Sequence, residues 1–227
     1  MDKPLDQHLY ETYPELYRDR FGSPTQTLMC WGFECGNGWF PLLDSISTLL
    51  TNQCRDQSIA SANVIQVKEK FGSLRFYFNG GDAFCEGVVD IAESISEQLC
   101  EICGAPGKIN RLNGWLACYC PKHLPSGNQL ATHHQNQELL YGLGGGWSRL
   151  VGALEKLINW DVEKNDMPPV QLSLLQTCDQ LKLTFSGGDL KTHGMVALVN
   201  HYSRLIDPNS GELLAPMKTT IGQTDND

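Results

Sequence analysis

Four side chains with metal-ligand chemistry stand in two close pairs: Cys100-Glu-Ile-Cys103-Gly and, after sixteen intervening residues, Cys120-Pro-Lys-His123. A Cys-x2-Cys run places two thiolates on one tight turn, and Gly104 relieves the backbone just past the second. A Cys-x2-His run supplies the other half of a tetrahedral site, with Gly114-Trp-Leu116 as a short strand leading in. Three soft thiolates and an imidazole suit zinc, which is redox-inert. Four protein ligands close the coordination sphere and leave no position for an activated water, so the pattern reads as one structural zinc per chain. Cys118 is an alternative third ligand, and Cys120 is preferred for its spacing to His123. A redox reading of Cys-x2-Cys leaves Cys120 and His123 without a role and lacks a βαβ context.

Other chemistry is weighed against plainer readings. The Gly80-Gly81-Asp82 and Gly187-Gly188-Asp189 runs look like phosphate cradles at helix starts. Asp has the wrong charge for an anion site and the right side chain for an N-cap, so both read as structural turns. Lys68, Lys70 and Arg75 give one hairpin a basic edge that serves either as a binding surface or as a solvated strand face. Trp39, behind Gly36-Asn-Gly38, either approaches a ligand or buries its indole at a helix start. Cys30, Cys35, Cys54, Cys85 and Cys178 have no partnered spacing, and His133-His134 lies in a polar stretch. There is no Walker A run, Gly-x-Ser-x-Gly or His-Glu-x-x-His, and the chain reads as a binding protein rather than an enzyme.

The elements that must position these groups occur twice. Gly36-Asn-Gly-Trp39 and Gly144-Gly-Gly-Trp147 each precede an amphipathic stretch, with Leu42, Leu43, Ile46 and Leu50 in the first and Leu150, Val151, Leu154 and Ile158 in the second. Two strands follow in each. Leu74, Phe76 and Phe78 alternate with polar neighbours after a turn at 70–72, as do Leu181, Leu183 and Phe185. Each Gly-Gly-Asp then opens a helix, one carrying Val88, Ile91, Ala92 and Ile95, the other Met195, Leu198, Val199 and Tyr202. From Leu74 onward the second set lies 107 residues after the first. The expected class is therefore α+β: a duplicated helix–strand–strand–helix unit plus a small zinc-binding insert. We expect the two hairpins to join in one four-stranded antiparallel sheet with helices packed on one face, because that gives one core. The reading divides the chain into an N-terminal helical segment at 1–30 (a helix over 5–21), a first unit at 31–99 and a zinc segment at 100–123. A linker at 124–138, a second unit at 139–211 and a tail at 212–227 follow. At the 107-residue offset both thiols of the Cys-x2-Cys turn give way to Asp207-Pro-Asn-Ser210, so the unit itself does not require zinc.

Taken in order, Gly32-Phe-Glu-Cys-Gly-Asn-Gly-Trp39, Val67-Lys-Glu-Lys-Phe-Gly-Ser-Leu-Arg-Phe-Tyr77, and Cys100-x2-Cys-Gly … Gly114-Trp-Leu … Cys120-x2-His123 resemble a widespread group of uncharacterised phage and prophage proteins. The resemblance covers about residues 13–123. It implies a genomic setting rather than a mechanism: an accessory protein that binds a host component, including a counter-defence inhibitor. Composition fits a binding role. Seventeen Lys and Arg against 26 Asp and Glu leave a charge of −9, which opposes general nucleic-acid binding and favours a partner with a basic face. Two further partners stay open: a nucleotide-like small molecule in a cleft between the two units, and nucleic acid at Lys108, Arg111 and Lys122 of the zinc segment. The chain shows no signal-peptide core and no apolar run long enough to span a membrane, so the cytoplasm is expected.

Overall fold

A buried tryptophan stands at the start of each long helix and ties it to the end of the following one. The Trp39 indole Nε1 donates to the Leu99 carbonyl at 3.0 Å, and the Trp147 Nε1 donates to the Ser203 carbonyl at 3.0 Å. The computed structural model describes residues 1–125, 140–165, 169–176 and 180–214. The polar linker beyond Pro125 with His133 and His134, the positions Thr177 and Cys178, and the tail from 215 onward lie outside the described residues.

The first half runs α1 (Lys3–Thr12), β1 (Phe33–Glu34), α2 (Phe40–Asp56), β2 (Asn63–Lys70), β3 (Ser73–Asn79) and α3 (Ala83–Ser96). A hairpin follows, β4 (Lys108–Leu112) and β5 (Trp115–Tyr119). The second half is α4 (Gly145–Asn165), β6 (Gln171–Gln176), β7 (Leu181–Ser186) and α5 (Leu190–Tyr202). Helix–strand–strand–helix order thus occurs twice, and the fold is α+β as expected. The N-terminal helix is shorter than expected. It stops at Thr12, before Pro14, whose ring disfavours helical backbone in the residue ahead of it. Residues 13–22 instead form turns that bury Tyr17 against α2, where its hydroxyl shares a 2.7 Å hydrogen bond with Ser47.

The expected four-stranded sheet does not form. β2 pairs antiparallel with β3 and parallel with the short β1, while β4–β5 and β6–β7 are separate two-stranded ladders. The reason lies at the free edges. On β3, Leu74 N donates to Ser96 Oγ at 2.8 Å and Phe76 N to Glu93 Oε1 at 2.9 Å. On β7, Leu183 N donates to Asn200 Oδ1 at 2.7 Å, and its carbonyl accepts from Asn200 Nδ2 at 2.9 Å. Helix side chains occupy the backbone groups that another strand would need.

The halves meet through helices. α3 and α5 cross at two glycines: a Cβ on Gly87 would stand 1.9 Å from the Lys191 carbonyl oxygen, and one on Gly194 would stand 2.0 Å from that of Phe84. Gly194 is 107 residues after Gly87, and Lys191 is 107 after Phe84, so the contact is self-complementary. Around it Val88, Ile91, Ile95, Met195, Leu198 and Tyr202 are buried in one core reaching from Leu9 to Ile206. One continuous core was the expectation; it is built by helix packing rather than by a shared sheet. Lys191 adds a clamp, with its Nζ 2.8 Å from Asp90 Oδ2 on α3 and 3.1 Å from the buried Asp161 on α4.

Candidate metal centre

After α3 the chain forms a short loop at 100–104, closed by Gly104 N donating to the Cys100 carbonyl at 2.8 Å. Gly104 has φ +73, a left-handed conformation that glycine adopts at little cost. The chain pairs back at Leu99 and Pro106. β4 and β5 then form a hairpin over Asn113 (φ 48) and Gly114 (φ 93), both left-handed as a tight two-residue turn requires. The hairpin returns Cys120 to the first loop, and His123 follows one turn later, its N–H donating to the Cys120 carbonyl at 3.0 Å.

The ligand atoms of Cys100, Cys103, Cys120 and His123 all lie within 4.8 Å of one another. Cys103 Sγ stands 3.8 Å from Cys120 Sγ. His123 Nδ1 stands 3.5 Å from Cys100 Sγ and 3.3 Å from Cys120 Sγ. A tetrahedral ion with metal–sulfur bonds of about 2.3 Å and a metal–nitrogen bond of about 2.0 Å separates its ligands by roughly 3.8 Å (S···S) and 3.5 Å (S···N). Those three pairs are close to such spacings, within a set that spans up to 4.8 Å. Cys118 is settled as well: its buried sulfur donates to the Glu97 carbonyl at 3.2 Å and takes no part.

The Cys103 and Cys120 thiols shift in opposite directions. Burial and the neighbouring Cys100 push the Cys103 thiol up to about 12. At Cys120 burial also raises the value, but hydrogen bonds from His123 and the backbone outweigh it and lower the thiol to about 7. A cation among the three sulfurs would favour the thiolate form of all of them.

Second-layer residues that sequence reasoning missed seat the loop. Gly38 N donates to the Glu101 carbonyl at 2.8 Å, and Gly36 N donates to Glu101 Oε1 at 2.9 Å. A Cβ on Gly38 would fall 2.2 Å from the Cys100 carbonyl oxygen and 2.4 Å from Gly104 N. The signal was present in Gly36-Asn-Gly-Trp39, read as shaping a helix start; it also carries the loop of the metal cluster. The second half repeats the arrangement without ligands. There a Cβ on Gly146 would lie 2.4 Å from the Asp207 carbonyl oxygen and 2.7 Å from Gly211 N.

The remaining sequence candidates fall as follows. Trp39 is wholly buried and hydrogen-bonded, which corrects its reading as a binding residue: its indole cannot meet a ligand in this position. Arg75 is held by Glu93 at 3.3 Å, Lys68 lies over the Tyr77 ring at 5.6 Å, and Lys70 lies over Phe71 at 5.3 Å. Asp82 accepts from Cys85 N at 3.2 Å and Asp189 from Thr192 N at 2.9 Å, after glycines at φ +77 and +72 (Gly80, Gly81) and +79 and +69 (Gly187, Gly188). Both Gly-Gly-Asp runs are thus helix caps. Cys35 is buried, and burial pushes its thiol up to about 12, out of the range of a reactive nucleophile. The cavity between the halves, beside Leu99, Leu150 and Tyr202, has about 20 Å³. That is room for one water and not for a nucleotide. Among the described residues no helix is long and apolar enough to cross a membrane.

No family model matches the chain, and no curated protein or solved structure matches it.

Proposed function

We propose that the chain is a zinc-stabilised, non-enzymatic binding protein, with one structural zinc held by Cys100, Cys103, Cys120 and His123. The observation that carries this reading is the convergence of four potential ligand atoms within 4.8 Å of one another. Such a site offers substrate no open position, and its chemistry is to cross-link a segment that has little apolar core of its own. The binding free energy of structural zinc, on the order of 10 kcal/mol, is comparable to the net stability of a domain. In the same reading the chain acts in the cytoplasm, where thiols stay reduced and free to ligate metal.

The partner in this reading is a host protein, and the chain is a phage- or prophage-type accessory protein, including a counter-defence inhibitor. The resemblance of residues 13–123 supports that setting, and a charge of −9 favours a partner with a basic face. Purified protein should carry one zinc per chain by elemental analysis. A partner recovered from host lysate should be captured reciprocally and lost when the metal is removed. Metal-free protein that is fully folded, or repeated absence of any partner, contradicts the reading.

A further inference from the structure

We propose that a groove between the tips of the β2–β3 and β4–β5 hairpins docks a short, acidic and apolar segment of a partner protein. The proposal rests on the reading of the chain as a binding protein and names the surface that does the binding.

The groove has about 510 Å³, within the range of ligand-binding pockets, and is lined by Glu69, Lys70, Phe71, Arg111, Trp115 and Leu116. Two large aromatics are left in solvent: Phe71 is 64% exposed and Trp115 is 80% exposed. Phe71 is also the first residue of the β2–β3 turn, at φ 58, a conformation that a bulky side chain rarely takes. The turn thus presents an aromatic ring to solvent where Asn or Gly would fit without strain. Gly72 beside it lets the β2–β3 tip lie against the body of the other hairpin, because a Cβ there would stand 3.0 Å from Ile109 on β4.

Charge selects the occupant. Lys70 and Arg111 line the groove, and among the described residues neither takes part in an ion pair. The Glu69 carboxylate is engaged in the turn, where it accepts from Gly72 N at 2.6 Å. Lys70 and Arg111 outnumber Glu69 in a groove edged by two exposed aromatics, and on a chain of charge −9 that local excess of positive charge calls for carboxylates beside an apolar side chain. A short peptide confines its negative charge to the groove. The overall charge of −9 opposes a nucleic-acid strand with one phosphate per nucleotide, so the protein segment is favoured. In the sequence, the positions 107 residues after Lys70 and Phe71 are Thr177 and Cys178, so neither the cation nor the ring recurs there.

The test uses full-length, zinc-loaded protein and three fluorescent probes read by polarisation: a 12-residue peptide alternating Asp/Glu with Leu/Phe, the same peptide with Lys/Arg for Asp/Glu, and a 12-nucleotide oligothymidylate. The acidic peptide should bind, and Trp115→Ala and Arg111→Glu should each weaken it at least tenfold with melting temperatures unchanged. Leu175→Ala, on the second hairpin, should leave binding intact. Absence of acidic-peptide binding, insensitivity to both groove substitutions, or tighter binding of the oligonucleotide or basic peptide overturns the proposal. If a lysate partner still binds the Trp115→Ala and Arg111→Glu variants, the groove assignment fails while the binding-protein reading stands.

Discussion

The loops at 100–104 and 207–211 follow one backbone path around different chemistry. In the first, Gly104 N donates to the Cys100 carbonyl at 2.8 Å and Cys100 N to the Ala105 carbonyl at 2.8 Å. In the second, Gly211 N donates to the Asp207 carbonyl and Asp207 N to the Glu212 carbonyl, again at 2.8 Å each. The bridges Leu99–Pro106 and Ile206–Leu213 close both loops, and Gly38 and Gly146 seat them. Inside the loop the two part. Cys100 and Cys103 face a shared metal position, whereas Asp207 Oδ1 accepts from Asn209 N at 3.0 Å, Ser210 N at 2.7 Å and Ser210 Oγ at 3.0 Å. One carboxylate satisfies its own loop, whereas Cys100 and Cys103 converge with Cys120 and His123 from beyond theirs. The difference teaches that glycine packing sets the loop path, and that a metal held by the four ligands would fasten β4–β5 to the first half.

The largest effect should come from removing the ligand set. Cys103→Ala should abolish metal binding and free the β4–β5 hairpin, a loss on the order of the 10 kcal/mol scale of structural zinc, while α4 and α5 keep their fold. Elemental analysis with far-UV circular dichroism checks both parts. Next come the glycines common to the two halves. Gly87→Ala and Gly194→Ala each force a methyl group onto a facing carbonyl, so each should destabilise by about 1–3 kcal/mol in urea unfolding, and by similar amounts. Unequal effects would break the symmetry of the helix contact. A grafted knuckle is the sharper probe. Asp207→Cys with Ser210→Cys supplies two thiols without a second hairpin, and should raise zinc stoichiometry in competition with a chelator by nothing measurable. Asp207→Ala removes three exposed hydrogen bonds and should lower the melting temperature only slightly, with metal content unchanged.

The sequence made the ligand set legible because ligation demands fixed residue types at short spacing, and Cys100 to His123 met it without tertiary information. The helix faces and hairpins were legible through their periodicity, and the Gly-Gly-Asp caps through local chemistry. What escaped depends on distant partners. β1 is two residues long and has no period to read. The separation of the hairpins turns on Glu93 and Asn200 reaching the edges of β3 and β7, and spacing alone says nothing of that. Gly87 and Gly194 did carry a signal: a glycine inside each amphipathic helix, at the same offset, marks a place where two backbones meet.

The central claim is that the metal fastens one segment of the first half and is not needed by the rest. Amide hydrogen exchange on full-length protein, before and after chelation and with metal content measured in parallel, tests it most directly. One zinc per chain, with protection lost on chelation at 36–39 and 100–124 and retained across α4, β7 and α5, is the predicted result. Protection at 100–124 that is unchanged by chelation would contradict it.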